Sequence, residues 1–174
     1  MFADKRRELD KTDDEMRNPS FKSGAATVDD VVIRAAVAED VSDIADLDAR
    51  STGQLKRDYW QGLFDHISGH PATGRAFFVA ESRGRLIGFI CGEIRAFEFG
   101  SEPSGWVFAL EVESSARVHS VGTRLFDFLA DGFRRAGVNK VRTMLDRRNE
   151  LVLAFFRGQG MMTGPFIQLE KDLE

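Results

Sequence analysis

The chain has 174 residues, of which 43% are hydrophobic and 30% charged, so its size and composition indicate one globular domain and exclude a disordered or fibrous protein. The formal net charge of −4 offers no broad attraction for nucleic acid, and no apolar stretch approaches the roughly 20 residues of a membrane helix, so neither partner is expected. One cysteine and three histidines without metal-ligand spacing predict a cytoplasmic protein with no disulfide and no metal.

The N-terminal residues differ in composition from the rest. Their first half alternates acidic and basic side chains, and Phe2, Leu9 and Met16 recur every seven residues, as in a narrow apolar stripe on a helix. We interpret residues 1–28 as a charged extension, either a solvated arm or a helix docked on the domain or on the second subunit of a homodimer. Residues 29–174 then form the domain.

From residue 31 onward the hydrophobic pattern alternates between the period of a strand and that of a helix. Strands are predicted at residues 31–34, 77–81, 86–90, 106–112, 141–145 and 165–170, and helices at residues 37–50, 55–67, 121–133 and 149–157. The order β-α-α-β-β-β-α-β-α-β predicts an α/β chain with hairpins first and crossover helices later.

The clearest chemical signal lies between a predicted strand and the most amphipathic helix. The turn between them reads Arg117-Val118-His119-Ser120-Val121-Gly122-Thr123. Small residues at positions 120 and 122 leave the first amides of the helix uncovered, and such a helix end binds anions such as phosphate. Arg117 would add a charged contact. Alternatively, Gly122 only permits close packing of helix on strand. The turn matches neither GxxxxGK[ST] nor GxGxxG.

Three motifs in this register resemble the GNAT superfamily of acyl-coenzyme A-dependent N-acetyltransferases. They are Arg117-x-x-Ser120-x-Gly122, Asn149-x-x-Val152-x-x-Phe155-Phe156 followed by Gly160, and Ile33-Arg34-Ala35-Ala36 with Glu39-Asp40. The resemblance spans residues 31–171. It implies an α/β (α+β) fold in which helices flank a mixed, mostly antiparallel sheet of about six to seven strands.

The resemblance also implies a site for acetyl-coenzyme A as cosubstrate, with no metal. The amides of Val118, His119, Ser120, Val121, Gly122 and Thr123 would hold the pyrophosphate, with Arg117 at its rim. Leu110 and Val112 would lie along the pantetheine, and the N–H of Val112 would polarise the thioester carbonyl. Asn149 would lie near the pantetheine arm and Phe155 near the sulfur.

The implied reaction is acetyl transfer to the primary amine of a small molecule or a peptide, which requires a base to accept the amine proton. Glu111 is the candidate base. Glu113 is a weaker candidate on the same strand face, and Glu93 on the preceding strand is a third. The acceptor would enter over residues 55–70 and 95–105. Peptide N-termini, lysines, polyamines, aminoglycosides and amino acids all satisfy the amine requirement.

Two residues depart from the family pattern. Ser120 replaces a glycine, and its small side chain fits if its backbone is helical. Phe156 stands where most members carry a tyrosine proposed as general acid, and a phenyl ring donates no proton. Tyr59, the single tyrosine, or Ser114 or a water would then protonate the thiolate.

Phe156 also favours a second hypothesis, an acyl-coenzyme A-binding or interaction module with weak or no catalysis. An unrelated α/β binding domain in which the turn occurs by chance is a third.

Overall fold

The computed structural model describes residues 26–28, 31–68, 74–96, 100–114 and 120–173. The predicted N-terminal helix and Arg117, Val118 and His119 of the predicted phosphate turn lie outside these residues. The chain divides into two compact units, residues 1–143 and residues 144–174, and each is described by itself.

The first unit contains a six-stranded sheet, counted over the described residues. Its strands are β1 (Ala26–Val28), β2 (Val31–Ala35), β3 (Arg75–Ser82), β4 (Arg85–Arg95), β5 (Ser104–Val112) and β6 (Val141–Thr143). They follow chain order across the sheet, and every neighbouring pair is antiparallel except β5 and β6, which are parallel. The expected mixed, mostly antiparallel sheet is confirmed. Strand β1 was not expected.

Among the described residues of this unit there are three α-helices, and all three were predicted. They are α1 (Val41–Thr52), α2 (Arg57–Ser68) and α3 (Val121–Arg135). A 3-10 turn, Ala38–Asp40, leads into α1. Gly53 ends α1 with φ of 73°, in the left-handed region that glycine adopts without steric cost.

Arg34 explains why the opening motif pairs an arginine with an aspartate. Its guanidinium donates two hydrogen bonds to the Asp40 carboxylate, at 2.7 and 2.9 Å, and a third to Glu81 at 3.0 Å. The N–H of Val37 donates to Asp40 at 2.8 Å. Burial by itself would raise the pKa of Asp40, but the hydrogen bonds from Arg34 and Val37 outweigh it and hold the pKa below its usual value. The network joins β2 and β3 to the start of α1.

One face of the sheet packs against α1 and α2. Phe89 and Cys91 alternate along β4 toward this face, where the Phe89 ring meets the Trp60 ring edge-on at 5.0 Å. Ile44 of α1 and Phe64 of α2 belong to the same buried cluster. These residues form one buried cluster between the sheet and the two helices.

The opposite face packs against α3, whose apolar stripe of Val121, Leu125, Leu129 and Phe133 is fully buried. Two glycines of the sheet allow this approach. A Cβ at Gly92 of β4 would lie 3.1 Å from the Phe133 ring, and a Cβ at Gly105 of β5 would overlap that ring. The apolar residues that recur at the predicted helical period of α3 are therefore the residues that it buries against the sheet.

Replacing Gly105 with alanine is expected to lower the free energy of unfolding by about 1–3 kcal/mol, because the added methyl group overlaps a ring that packing holds in place. The matched control is Gly62→Ala in α2, where no atom lies within 4 Å of the added Cβ. That variant should gain up to about 1 kcal/mol from helix propensity. Urea titration of both variants is the measurement, and a stable Gly105→Ala protein would contradict the packing.

Over residues 144–173, which the structure describes, the second unit contains one helix, α4 (Glu150–Gly158), close to its predicted bounds. The predicted strand at residues 165–170 is wrong, because no strand includes any residue from 159 to 173. Ile167 is 82% exposed and Leu169 is 84% exposed. The apolar, β-favouring run predicted a strand, but a strand needs a neighbour for its backbone hydrogen bonds and local propensity does not supply one.

Candidate active site

The candidate site is centred on a break in the pairing of β5. Its register with β4 shifts between Val107 and Ala109, which leaves Phe108 as an extra residue. Its register with β6 ends at Val107, whose carbonyl accepts a hydrogen bond of 3.0 Å from the Thr143 hydroxyl. A β-bulge bends a strand and increases its twist. Among the described strands, β5 therefore continues to Val112 beside β4 only.

Beyond the bulge, the backbone N–H and C=O groups of successive β5 residues alternate between the edge that faces β4 and the opposite edge. The N–H of Glu113 donates to the carbonyl of Ile87 at 2.8 Å, so that position pairs with β4. Hydrogen-bonding positions alternate along an antiparallel pair, and the backbone groups of Val112 and Leu110 are therefore directed to the opposite edge. Strand β6 pairs with this edge of β5 only as far as Val107, next to the bulge.

Glu111 and Glu113 lie on one face of β5, as predicted from their spacing. Glu111 is opposite Phe89 in the register, which places it on the α1/α2 face, and it is half-buried. Both carboxylate oxygens of Glu113 contact the guanidinium of Arg85, at 2.9 and 2.8 Å. Glu113 is thus committed to an ion pair at the start of β4.

Ser120 is the N-cap of helix α3. Ser120 has φ of 55° and ψ of 25°, so its backbone is left-handed and does not meet the condition of a helical backbone under which the serine side chain was expected to fit. Glycine is favoured there because a Cβ costs about 1–2 kcal/mol in that region. The first turn of α3, which includes Gly122 and Thr123, carries no acidic side chain. The partial positive charge of this helix end is therefore not offset by its own first turn.

A cluster at the end of β4 and the start of β5 contains Glu93, which the sequence indicated as a third candidate base, together with partners that the sequence did not indicate. The Glu93 carboxylate is held between Arg75, at 3.2 Å, and Arg95, at 2.9 Å. The guanidinium carbon of Arg95 lies 4.7 Å from the centre of the Phe108 ring and 5.4 Å from that of Trp106. We call these five residues, with Ser104, the Arg95 cluster.

Two polar atoms of the Arg95 cluster are buried without a hydrogen-bond partner in the part of the chain that the structure describes. The Ser104 hydroxyl and the Trp106 indole nitrogen have no hydrogen-bond partner among the described residues. Ser104 is opposite Arg95 in the register, and Trp106 is opposite Glu93. Residues directly opposite in an antiparallel pair share a face. The alternation of charged residues at 93 and 95 was the signal in the sequence, but their partners on β5 depend on the bulged register.

Other residues named for the site lie on helices. Asn149 caps α4, its side chain accepting from the Val152 N–H at 3.2 Å, and the rings of Phe155 and Phe156 meet at 5.1 Å. Phe156 is buried. In the first unit, Tyr59 is 56% exposed on α2.

Cys91 does not offer a nucleophile for a covalent intermediate. Its side chain is fully buried in the core beneath the α1/α2 face. Burial raises the pKa of the Cys91 thiol to about 12, and a hydrogen bond with the Ala109 backbone opposes this only in part. The thiolate is the reactive form of cysteine, so the thiol is inert near neutral pH.

The acetyltransferase (GNAT) family matches residues 41–161 of the chain. The protein belongs to the GNAT acetyltransferase family. The match begins at α1 and ends just after α4, so it includes β5, its bulge and the start of α3. No curated protein sequence matches the chain.

Solved structures show the GNAT fold at low sequence identity. Aminoglycoside N-acetyltransferase AAC(6')-Iy in complex with coenzyme A has a TM-score of 0.69 and 16% identity, and the match covers 87% of this chain and 97% of that one. AAC(6')-Ih from Acinetobacter baumannii has a TM-score of 0.70 and 13% identity, and the match covers 83% of this chain and 99% of that one. A transcriptional regulator from Bacillus halodurans C-125 has a TM-score of 0.67 and 16% identity, covering 82% and 99%. These likenesses concern the fold alone.

The described residues contain no group of three or more His, Cys, Asp or Glu side chains placed to hold a metal ion. None of their helices is both long enough and apolar enough to span a membrane.

Proposed function

We propose that the protein is an N-acetyltransferase that transfers the acetyl group of acetyl-coenzyme A to a primary amine of a small molecule or a peptide. The observation that carries the proposal is the bulge in β5, where the strand leaves β6 within a chain that belongs to the GNAT family. The coenzyme A complex of AAC(6')-Iy, a protein of the same fold, supports the cosubstrate.

The start of α3 is proposed to hold the pyrophosphate. Ser120, Val121, Gly122 and Thr123 bring consecutive N–H groups to a helix end whose first turn has no acidic side chain. Helix N-termini of this kind bind phosphate through N–H groups and the helix dipole. Arg117, Val118 and His119 are proposed to extend this site.

The backbone of β5 is proposed to bind the pantetheine and the thioester. Leu110 and Val112 direct their backbone groups to the edge away from β4, as the Glu113 hydrogen bond to Ile87 requires. An N–H held rigidly at the thioester oxygen stabilises the negative charge that develops there. Asn149 and Phe155, on α4, are proposed to contact the pantetheine arm near the sulfur.

Glu111 is proposed as the general base, acting directly or through a water. The Glu111 side chain lies on the face of the sheet that packs against α1 and α2. The Val112 side chain, opposite Gly88, lies on the other face, which packs against α3. Glu113 is less suited, because Arg85 contacts both of its oxygens. In the transfer, the amine nitrogen bonds to the acetyl carbonyl carbon, the base accepts the amine proton, and the carbon–sulfur bond breaks to release coenzyme A thiolate.

The test of the function is amine-dependent release of the coenzyme A thiol, followed with a thiol reagent, with the acetylated product identified by mass. Coenzyme A at 100 times its Kd should also stabilise the fold by about 2.7 kcal/mol. Thiol release that requires an amine supports the proposal. Binding of coenzyme A with no release across a broad amine panel would contradict it.

A non-catalytic acyl-coenzyme A-binding module is the second candidate, and Phe156 is the observation that favours it. Its ring carries no proton for the leaving thiolate, and Phe156 is buried, so solvent does not reach its ring freely. Turnover by the unmodified protein would exclude this candidate.

Phe156→Tyr is expected to raise kcat by about 10-fold or more, because a phenol at this position protonates the thiolate. The matched control is Phe166→Tyr, which adds the same hydroxyl to a ring that is 57% exposed. Single-turnover kinetics with acetyl-coenzyme A measures both. An unchanged kcat would mean that another group, such as Tyr59, Ser114 or a water, already supplies the proton or that protonation does not limit the rate.

A further inference from the structure

We propose that Thr143 is a positioning residue, which ends the pairing of β5 with β6 at Val107 and so keeps the adjoining edge of β5 open for the pantetheine arm of coenzyme A. This role rests on the proposed function, since it is assigned to a residue beside the proposed pantetheine site. It concerns the affinity for the cosubstrate. Thr143 acts through the backbone of β5 and does not touch the reacting atoms.

The hydrogen-bonding positions of β5 change edges at the bulge. Before it, the N–H of Gly105 donates to the carbonyl of Lys140, immediately before β6, at 2.9 Å. Beyond it, the N–H of Glu113 donates to the carbonyl of Ile87 in β4 at 2.8 Å. Successive residues of a strand alternate between its two edges. Odd-numbered positions of β5 therefore pair with β6 as far as Val107, where the register with β6 ends, and with β4 beyond the bulge.

A side chain completes the pairing at the last of these positions. Thr143 is the final residue of β6 and is opposite Val107 in the parallel register. Its hydroxyl donates to the Val107 carbonyl at 3.0 Å. Hydroxyls that bond to a neighbouring carbonyl offer the backbone an alternative to a longer sheet ladder. The Thr143 hydroxyl therefore stabilises the end of the ladder at the place where β5 also shifts its register with β4.

The burial of Val107 makes its carbonyl sensitive to the loss of this donor. Val107 is 3% exposed, so the carbonyl has little access to water. A buried acceptor that loses its donor needs another one. A main-chain N–H is the natural replacement, and accepting one would lengthen the pairing past Val107. The edge of β5 on which the pantetheine is proposed to bind would then be covered in the free protein, and coenzyme A would have to displace the added pairing.

Thr143→Val tests this role, because valine keeps the shape of the side chain, lacks the hydroxyl and favours strand conformation. We expect the Kd of coenzyme A to rise about 5- to 10-fold, the effect of one hydrogen bond. The Kd of the 3'-phosphorylated ADP moiety, which lacks the pantetheine arm, should stay within about 2-fold. The melting temperature should not fall, because the carbonyl gains a main-chain partner. Calorimetric titration and thermal unfolding give these quantities.

Two further variants separate positioning from a general structural role. Thr143→Ser restores a hydroxyl and should keep the Kd of coenzyme A within about 3-fold of the parent value. Thr52→Val removes the same kind of bond from α1, where the Thr52 hydroxyl donates to the carbonyl of Asp48 at 2.9 Å, and should change neither Kd. An equal rise in Kd for both ligands in Thr143→Val, or a Thr143→Ser protein that binds as weakly as Thr143→Val, would contradict the proposal.

The binding measurements need no turnover, so the two proposals can fail separately. If the parent binds coenzyme A and acetylates no amine, the proposed function fails, while a Kd raised only for coenzyme A in Thr143→Val still supports the positioning role. If the parent is active, the KM of acetyl-coenzyme A should rise in Thr143→Val while kcat stays within about 3-fold. Turnover with an unchanged Kd and KM in that variant would leave the function standing and overturn the role of Thr143. A parent that binds coenzyme A no more tightly than the ADP moiety would overturn the pantetheine site and this role together.

Discussion

Replacing Glu111 with glutamine is expected to lower kcat/KM for acetyl transfer by about 100-fold or more, while the Kd of coenzyme A stays unchanged. Glutamine keeps the shape and the hydrogen-bonding reach of the side chain but no longer accepts the amine proton, and a positioned base contributes about 10²- to 10⁴-fold. Glu111 is half-buried on the α1/α2 face of β5, opposite Phe89. Steady-state kinetics and calorimetry give the two quantities.

The control for this variant is Glu113→Gln. Both oxygens of Glu113 contact Arg85, so the variant removes an ion pair at the start of β4 and is expected to change kcat/KM by less than about 3-fold. Glu93→Gln completes the series, because Glu93 was also considered as a base. Loss of activity in Glu113→Gln or Glu93→Gln, with full activity in Glu111→Gln, would show that the base had been assigned to the wrong carboxylate.

Replacing Ser120 with aspartate is expected to raise the Kd of coenzyme A by about 10- to 100-fold at low ionic strength, without destabilising the fold. A carboxylate at the start of α3 would lie near the proposed pyrophosphate and repel it, and the effect should decrease as salt is added. The same carboxylate interacts favourably with the helix dipole, and aspartate tolerates the left-handed backbone of Ser120. Stability and affinity therefore change in different directions.

The matched variant is Ser120→Asn, which has nearly the shape of aspartate and no charge. It also tolerates a left-handed backbone, so its Kd should stay within about 3-fold of the parent value. Calorimetric titration with coenzyme A and thermal unfolding measure both variants. A Ser120→Asp protein that binds coenzyme A as tightly as the parent would show that the pyrophosphate does not bind at the start of α3.

Much of the architecture follows from local sequence patterns. The apolar residues Val121, Leu125 and Phe133 recur at the helical period and form the buried stripe of α3. The hairpin between β3 and β4 and the helix α4 were likewise evident from periodicity and turn residues. These elements could be predicted because the side chains that determine them are close together in sequence.

Backbone conformation at the site was harder to predict. The small residue Ser120 was recognised at the turn, but its left-handed φ of 55° was not. That angle depends on how the chain enters α3 from the preceding segment, and the serine side chain alone does not indicate it. The same limit applies to the bulge at Phe108, which appears only when the register of β4 and β5 is known.

The sequence by itself determined the order of the elements from β2 to α4 and the resemblance to GNAT acetyltransferases, because both depend on residues at short, regular spacing. The tertiary structure alone decided that residues 165–170 form no strand and that Ser104, Trp106 and Arg95 belong to one cluster. The reason is physical: strand pairing joins residues that are distant in the chain, and one extra residue in a bulge changes which side chains meet.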